Sequence, residues 1–70
     1  MTVSELFNAE KIERKFIGDN FDSSYWDSCD KFVGDNWSRD IESMSLKQGA
    51  WLTKILDDCV EKRIEGKLYE

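Results

Sequence analysis

Apolar side chains recur at helical intervals in three stretches of this 70-residue chain, and no stretch shows the strict alternation of a half-buried strand. The clearest stretch predicts a helix over 46–65. Trp51, Leu52, Ile55, Leu56, Cys59 and Val60 make one stripe along it. Ser45 stands before it as N-cap and Gln48 follows three residues later, so each side chain can bond the other's backbone N–H. Asp58 and Lys62 are spaced as an i,i+4 pair on its edge, and Gly66 is placed to end it. The residues beyond, Lys67 to Glu70, are expected to fray unless Leu68 and Tyr69 fold back onto the core. A second helix is predicted over 23–36. Asp22 or Ser23 caps it, and Tyr25, Trp26, Cys29, Phe32 and Val33 fall within an arc of roughly 120°. Ser24, Asp27, Ser28 and Lys31 fall opposite, with Asp30 at the rim. A third is predicted over 4–17, capped by Ser4. Its apolar positions form two sets, Leu6, Ala9, Ile12, Phe16 and Val3, Phe7, Ile17, on an arc interrupted by Glu10 and Glu13. Trp37, Ile41 and Met44 are placed to anchor the connection over 35–44, where a short helical turn fits. Three helices with short connections predict an all-α, small three-helix bundle, one domain over 1–70.

One phrase occurs twice. Residues 15–21 read Lys-Phe-Ile-Gly-Asp-Asn-Phe and residues 31–37 read Lys-Phe-Val-Gly-Asp-Asn-Trp. The bland explanation is two similar helix stops, each an apolar pair docking on the core before Gly-Asp-Asn turns the chain. Gly18 and Gly34 would then sit just past helix ends, as Gly66 does later, because glycine tolerates φ > 0. The functional alternative is a doubled Asp-Asn turn that binds a cation. Asp19-Asn20-Phe21-Asp22 lacks the central glycine and terminal glutamate of an EF-hand loop, which argues against calcium.

Composition narrows the chemistry. The chain has no histidine, which removes the usual triads, the usual zinc sites and the ordinary general base near neutral pH. Its two cysteines, Cys29 and Cys59, cannot close a tetrahedral zinc site, and both fall on apolar helix faces, where buried inert thiols are expected. A disulfide between them is possible in principle, but small secreted domains usually carry several. Carboxylate pairs occur at Asp27/Asp30 and Asp57/Asp58, yet a bundle of this size offers no obvious cleft for them to flank. The expectation is a protein that is not an enzyme and takes no cofactor and no metal. The polar start, Thr2, Ser4 and Glu5, is unlike a signal peptide, and no apolar run is long enough to span a membrane, so a cytoplasmic location is expected.

Net charge is −5, and its placement is uneven. Residues 1–18 and 43–70 each balance acids against bases. The middle third holds Asp19, Asp22, Asp27, Asp30, Asp35, Asp40 and Glu42 against only Lys31 and Arg39. Such a field repels phosphates and attracts basic protein surfaces, although a merely solubilising face has the same composition. Trp26, at the edge of its arc, and Trp37, in the connection, lie among these acids. Tryptophan serves equally in small cores and in interface hot spots. The candidate partner-binding residues are therefore Asp19, Asp22, Asp27, Asp30, Asp35, Asp40, Trp26 and Trp37.

The segment Met44-Ser45-Leu46-Lys47-Gln48-Gly49-Ala50-Trp51-Leu52-Thr53-Lys54-Ile55 resembles a pattern of phage and mobile-element accessory proteins, Leu-Ser-x-Lys-Gln-x-x-Trp-Leu-x-Lys-Ile. Ser45, Lys47, Gln48, Trp51, Leu52, Lys54 and Ile55 match it, Met44 stands at the leading Leu, and Phe32-Val33 supplies the apolar pair often found upstream. A small acidic chain of this kind also resembles host-takeover inhibitors of the anti-CRISPR type. The resemblance implies a non-enzymatic DNA mimic whose acidic face covers a basic nucleic-acid-binding surface on a host protein, a CRISPR effector complex among the candidates, without contacting nucleic acid or membrane. The alternative is an accessory module of phage DNA replication or recombination that contacts single-stranded DNA or a replisome protein through the Lys47–Lys54 helix and exposed tryptophans. A third is self-association, since a chain this short gains from burying apolar surface against a second copy as a homodimer.

Overall fold

The computed structural model describes the backbone of residues 1–68 and the side chains of residues 1–66. Four α-helices, α1 (Val3–Ala9), α2 (Phe16–Asn20), α3 (Ser24–Asp35) and α4 (Leu46–Leu68), and a 3₁₀ turn at Ile41–Ser43 make a small all-α bundle with no strand among the described residues. Val3, Phe7, Ile12, Ile17, Cys29, Val33, Leu52, Ile55, Leu56 and Cys59 form its core. Both cysteines are free, buried thiols.

α4 follows its sequence pattern. The Ser45 hydroxyl accepts from the Gln48 N–H at 3.2 Å, and the Gln48 side chain accepts from the Ser45 N–H at 3.1 Å. Leu52, Ile55, Leu56 and Cys59 are buried, and Trp51 stacks on Phe32 with centroids 4.4 Å apart. The helix does not stop at Gly66 but runs to Leu68. Lys54 rather than Lys62 is the partner of Asp58, at 3.5 Å. The expected fold-back of Tyr69 lies outside the described residues. α3 also matches, with Ser23 as N-cap accepting from the Trp26 N–H at 3.2 Å, Cys29 and Val33 buried, and Ser24, Asp27, Ser28 and Lys31 exposed.

The predicted helix over 4–17 is two helices. Val3 and Ile12 are nine residues apart, so at ~100° per residue they face opposite sides of any single helix. Both are nevertheless in the core, at 0% and 1% exposure. The chain reconciles them by leaving α1 after Ala9. The Ile12 N–H turns back to the Phe7 carbonyl at 2.9 Å, and Lys11 takes the left-handed φ of 60°. α1 is capped by Thr2 instead of Ser4, with Thr2 and Glu5 exchanging bonds of 3.2 and 2.9 Å. The Val3 and Ser4 N–H groups, which a helix start leaves without partners, donate to the Arg39 and Trp37 carbonyls at 3.0 and 2.9 Å. This docks α1 on the connection after α3, where Ile41 also donates to the Met1 carbonyl.

The glycines do not end helices. Gly18, Gly34 and Gly66 all lie inside helices, and no glycine has positive φ. Asparagine does the local work in both copies of the repeated phrase. The Asn20 amide donates to the Phe16 carbonyl at 2.9 Å, and the Asn36 amide to the Phe32 carbonyl at 2.8 Å. In each copy Ile17 or Val33 is buried while the flanking aromatics, Phe16 and Phe21 or Phe32 and Trp37, are half-buried. The repeat is a helix-end device that docks an apolar pair and ties off one carbonyl.

Candidate functional site

The middle third of the chain folds as α2, the α2–α3 junction, α3 and the following connection, so its acids are spread over adjoining elements. Asp19 lies in α2, Asp22 in the junction, Asp27 in the first turn of α3 and Asp35 at its last residue. All four are exposed, and none is in a salt bridge among the described residues. The other two predicted aspartates already have cations. Asp30 is half-buried and receives the Arg14 guanidinium at 2.6 Å, while the same guanidinium donates to the Asp30 backbone carbonyl at 3.2 Å. Asp40 accepts from the Glu42 N–H that starts the 3₁₀ turn and lies 3.4 Å from the Met1 ammonium.

The two candidate tryptophans differ as well. Trp37 is half-buried against Phe7, centroids 5.7 Å apart, with the Arg14 guanidinium 5.9 Å from its ring centroid. Its backbone carbonyl holds α1, so this residue is tied into the fold. Trp26 belongs to a row of rings across the α2–α3 junction. Phe21 stacks on it at 3.7 Å and 11°, Tyr25 meets it edge-on at 5.5 Å, and Phe16 meets Phe21 edge-on at 6.3 Å. Asp19, Asp22 and Asp27 are spaced along the same segment as these rings.

Sequence reasoning missed two parts of this region. Tyr25 falls on the apolar arc by spacing, but it stands in the first turn of α3 and is 46% exposed. The other part is α4. Asp58, Glu61, Lys62 and Glu65 line a shallow cleft of about 200 Å³ against Phe21 and Trp26. The C-terminal third sums to zero charge, which hid this cluster. The i, i+3, i+7 spacing of Asp58, Glu61 and Glu65 puts them on one side of a helix and could have disclosed it.

The region presents exposed carboxylates beside a row of aromatic rings. The one thiol with a displaced titration, Cys59, is pushed up to about 12 by burial, then by the neighbouring Asp58 and Cys29, and so stays a thiol near neutral pH. Among the described residues no helix is long and apolar enough to cross a membrane. Comparison with family models, with curated proteins and with solved structures gives no match.

Proposed function

We propose that the chain is a non-enzymatic binding protein that docks its acidic α2–α3 face on a basic, nucleic-acid-handling protein and blocks nucleic-acid access there. This is the mode of the phage host-takeover inhibitors, anti-CRISPR proteins included, that the sequence resembles. The observation that carries the reading is the exposure of Asp19, Asp22, Asp27 and Asp35 outside any salt bridge among the described residues, in the stretch that also exposes Tyr25. Exposed carboxylates without internal partners keep their field for another molecule, and such charges act mainly on the association rate. Aromatic rings beside them supply the apolar contact that slows dissociation. The docking set therefore centres on Asp19, Asp22, Asp27, Asp35, Tyr25 and Trp26, while half-buried Asp30 and Trp37 support the face from within and exposed Asp40 is paired with the Met1 ammonium.

The test is capture from host lysate with the wild-type chain and with a triple variant, Asp19→Lys, Asp22→Lys and Asp27→Lys. A partner retained by the former, lost by the latter and displaced by competing oligonucleotide supports the proposal. A partner set indifferent to the three reversals overturns it. So does direct, tight binding of single-stranded oligonucleotide by the chain, which instead supports the replication-module alternative.

A further inference from the structure

The cleft between the Phe21–Trp26 pair and α4 has two unlike walls. One is aromatic, two rings stacked at 3.7 Å. The other carries Asp58, Glu61 and Glu65 with one ammonium, Lys62. Asp58 is paired with Lys54, but Glu61, Glu65 and Lys62 are exposed and in no salt bridge among the described residues. The formal charge of the lining is negative even with Lys62 counted. A volume of about 200 Å³ is smaller than the ~300 Å³ at which small-molecule sites begin, and is suited to one long side chain.

A group that satisfies both walls must be cationic at its edges and flat and weakly hydrated on its faces. Guanidinium has both properties: it stacks on rings and donates in its plane to carboxylates, whereas ammonium is a compact, strongly hydrated charge. The chain already builds this arrangement once. At the second copy of the repeated phrase, the closing aromatic Trp37 has the Arg14 guanidinium beside its ring, and that guanidinium is held by a carboxylate, Asp30. At the first copy, the closing aromatic Phe21 has carboxylates beside it and, among the described residues, no arginine in the lining of the cleft.

We propose that this cleft takes an arginine side chain from the partner protein, as the anchor of the docked complex. The inference rests on the docking function proposed above and adds the residue type that the partner must present. Glu61 and Glu65 grip the guanidinium, Trp26 and Phe21 support its face, and Lys62 weakens the site.

The experiment is a nuclear magnetic resonance titration of the full chain with blocked Gly-Arg-Gly, Gly-Lys-Gly and Gly-citrulline-Gly peptides, following the Trp26 indole N–H. The arginine peptide shifts it saturably, the lysine peptide binds more weakly, and the citrulline peptide leaves it in place. Glu61→Gln with Glu65→Gln weakens the arginine peptide roughly fivefold, and Lys62→Gln strengthens it about twofold. These three side chains are exposed, so the variants keep the fold. An equal response to citrulline, or arginine binding indifferent to the Glu61→Gln, Glu65→Gln pair, overturns the proposal. Partner capture lost in the triple aspartate variant but unchanged in the Glu61→Gln, Glu65→Gln variant overturns the arginine cleft alone. Capture unchanged in both overturns the docking reading beneath it.

Discussion

The Arg14 guanidinium fills the space into which a Cβ on Gly34 would project. Such an atom would lie 2.9 Å from the guanidinium carbon and closer still to one of its nitrogens. Gly34 therefore serves as a seat. It lets a side chain from the α1–α2 turn lie flat on α3, reach Asp30 at 2.6 Å and stand beside the Trp37 ring. Gly18, its counterpart in the first copy of the repeat, has nothing within 4 Å of its Cβ position.

The two glycines should thus respond unequally to alanine. Gly18→Ala is expected to raise stability by about 0.5–1 kcal/mol, because a helix-interior glycine is replaced at no steric cost. Gly34→Ala should gain less or nothing, since the Arg14 guanidinium must shift off the new Cβ and its contact with Asp30 loosens. In an Arg14→Ala background the same Gly34→Ala change should give the full helix gain. Urea denaturation of the four chains in this cycle measures the coupling directly, and additivity within ~0.5 kcal/mol would refute the seat.

The repeated phrase makes its own prediction through asparagine. Asn20→Ala and Asn36→Ala each remove one side-chain bond to a carbonyl four residues earlier. Each should cost about 0.5–1.5 kcal/mol, with Asn36 the larger because its bond is partly buried while that of Asn20 is exposed. Thermal melts of the two variants give the order. If the phrase were a cation site, added divalent ions would raise the melting temperature of the wild-type chain and not of these variants.

α3 and α4 each carry one apolar stripe in one phase, so their buried faces and caps follow from spacing alone. The stretch 4–17 held two phases, and the 180° conflict between Val3 and Ile12 was present in the sequence. What replaced it, a left-handed Lys11, has no local signal, because nothing but tertiary packing rewards a lysine for that φ. The glycines misled for a related reason. Glycine permits a helix stop without requiring one, and the roles of Gly34 and Arg14 depend on a contact between residues twenty apart. At the candidate site, the exposed aspartates of α2 and α3 were legible from charge placement. The α4 carboxylates were not, because a neutral sum concealed a one-sided distribution.

The α1 cap should be visible in acid. The Glu5 carboxyl is held below its usual range, chiefly by the backbone N–H of Thr2 and then by its hydroxyl. A depressed native value means stability that is present above the unfolded value of 4.5 and is lost as pH falls below it. Glu5→Gln, which keeps an oxygen acceptor, should flatten the acid limb of the stability profile relative to wild type. Thr2→Ala should cost about 1 kcal/mol at neutral pH. Denaturant midpoints between pH 3 and pH 7 test both.

Cys59 should control part of the alkaline limb. Its thiol is raised from 9.0 to about 12, so between those values the unfolded chain releases a proton that the native chain keeps. Stability is then intact below pH 9 and falls as pH rises, with a slope approaching roughly 1.4 kcal/mol per pH unit for this one group. Cys59→Ala should remove that slope while lowering stability overall through the lost core volume. Native protein should also react with a thiol reagent only at the rate of global opening, and rapid labelling of Cys59 at neutral pH would contradict its burial.

Asp27 and Asp30 lie three residues apart on α3, yet their reversal should have different consequences. Asp27 is exposed and in no salt bridge among the described residues, so Asp27→Lys should cost only what a cation in the first turn of α3 costs, about 0.3–1 kcal/mol, while slowing association with a basic partner, most at low ionic strength. Asp30 holds Arg14, so Asp30→Lys sets two cations against each other over Gly34 and should destabilise the fold by about 1–3 kcal/mol. Association rates at two salt concentrations, beside melts of both variants, separate the docking charge from the structural one. Equal losses of stability in the two variants would mean that Asp27 also belongs to the scaffold and that its charge is spent within the chain.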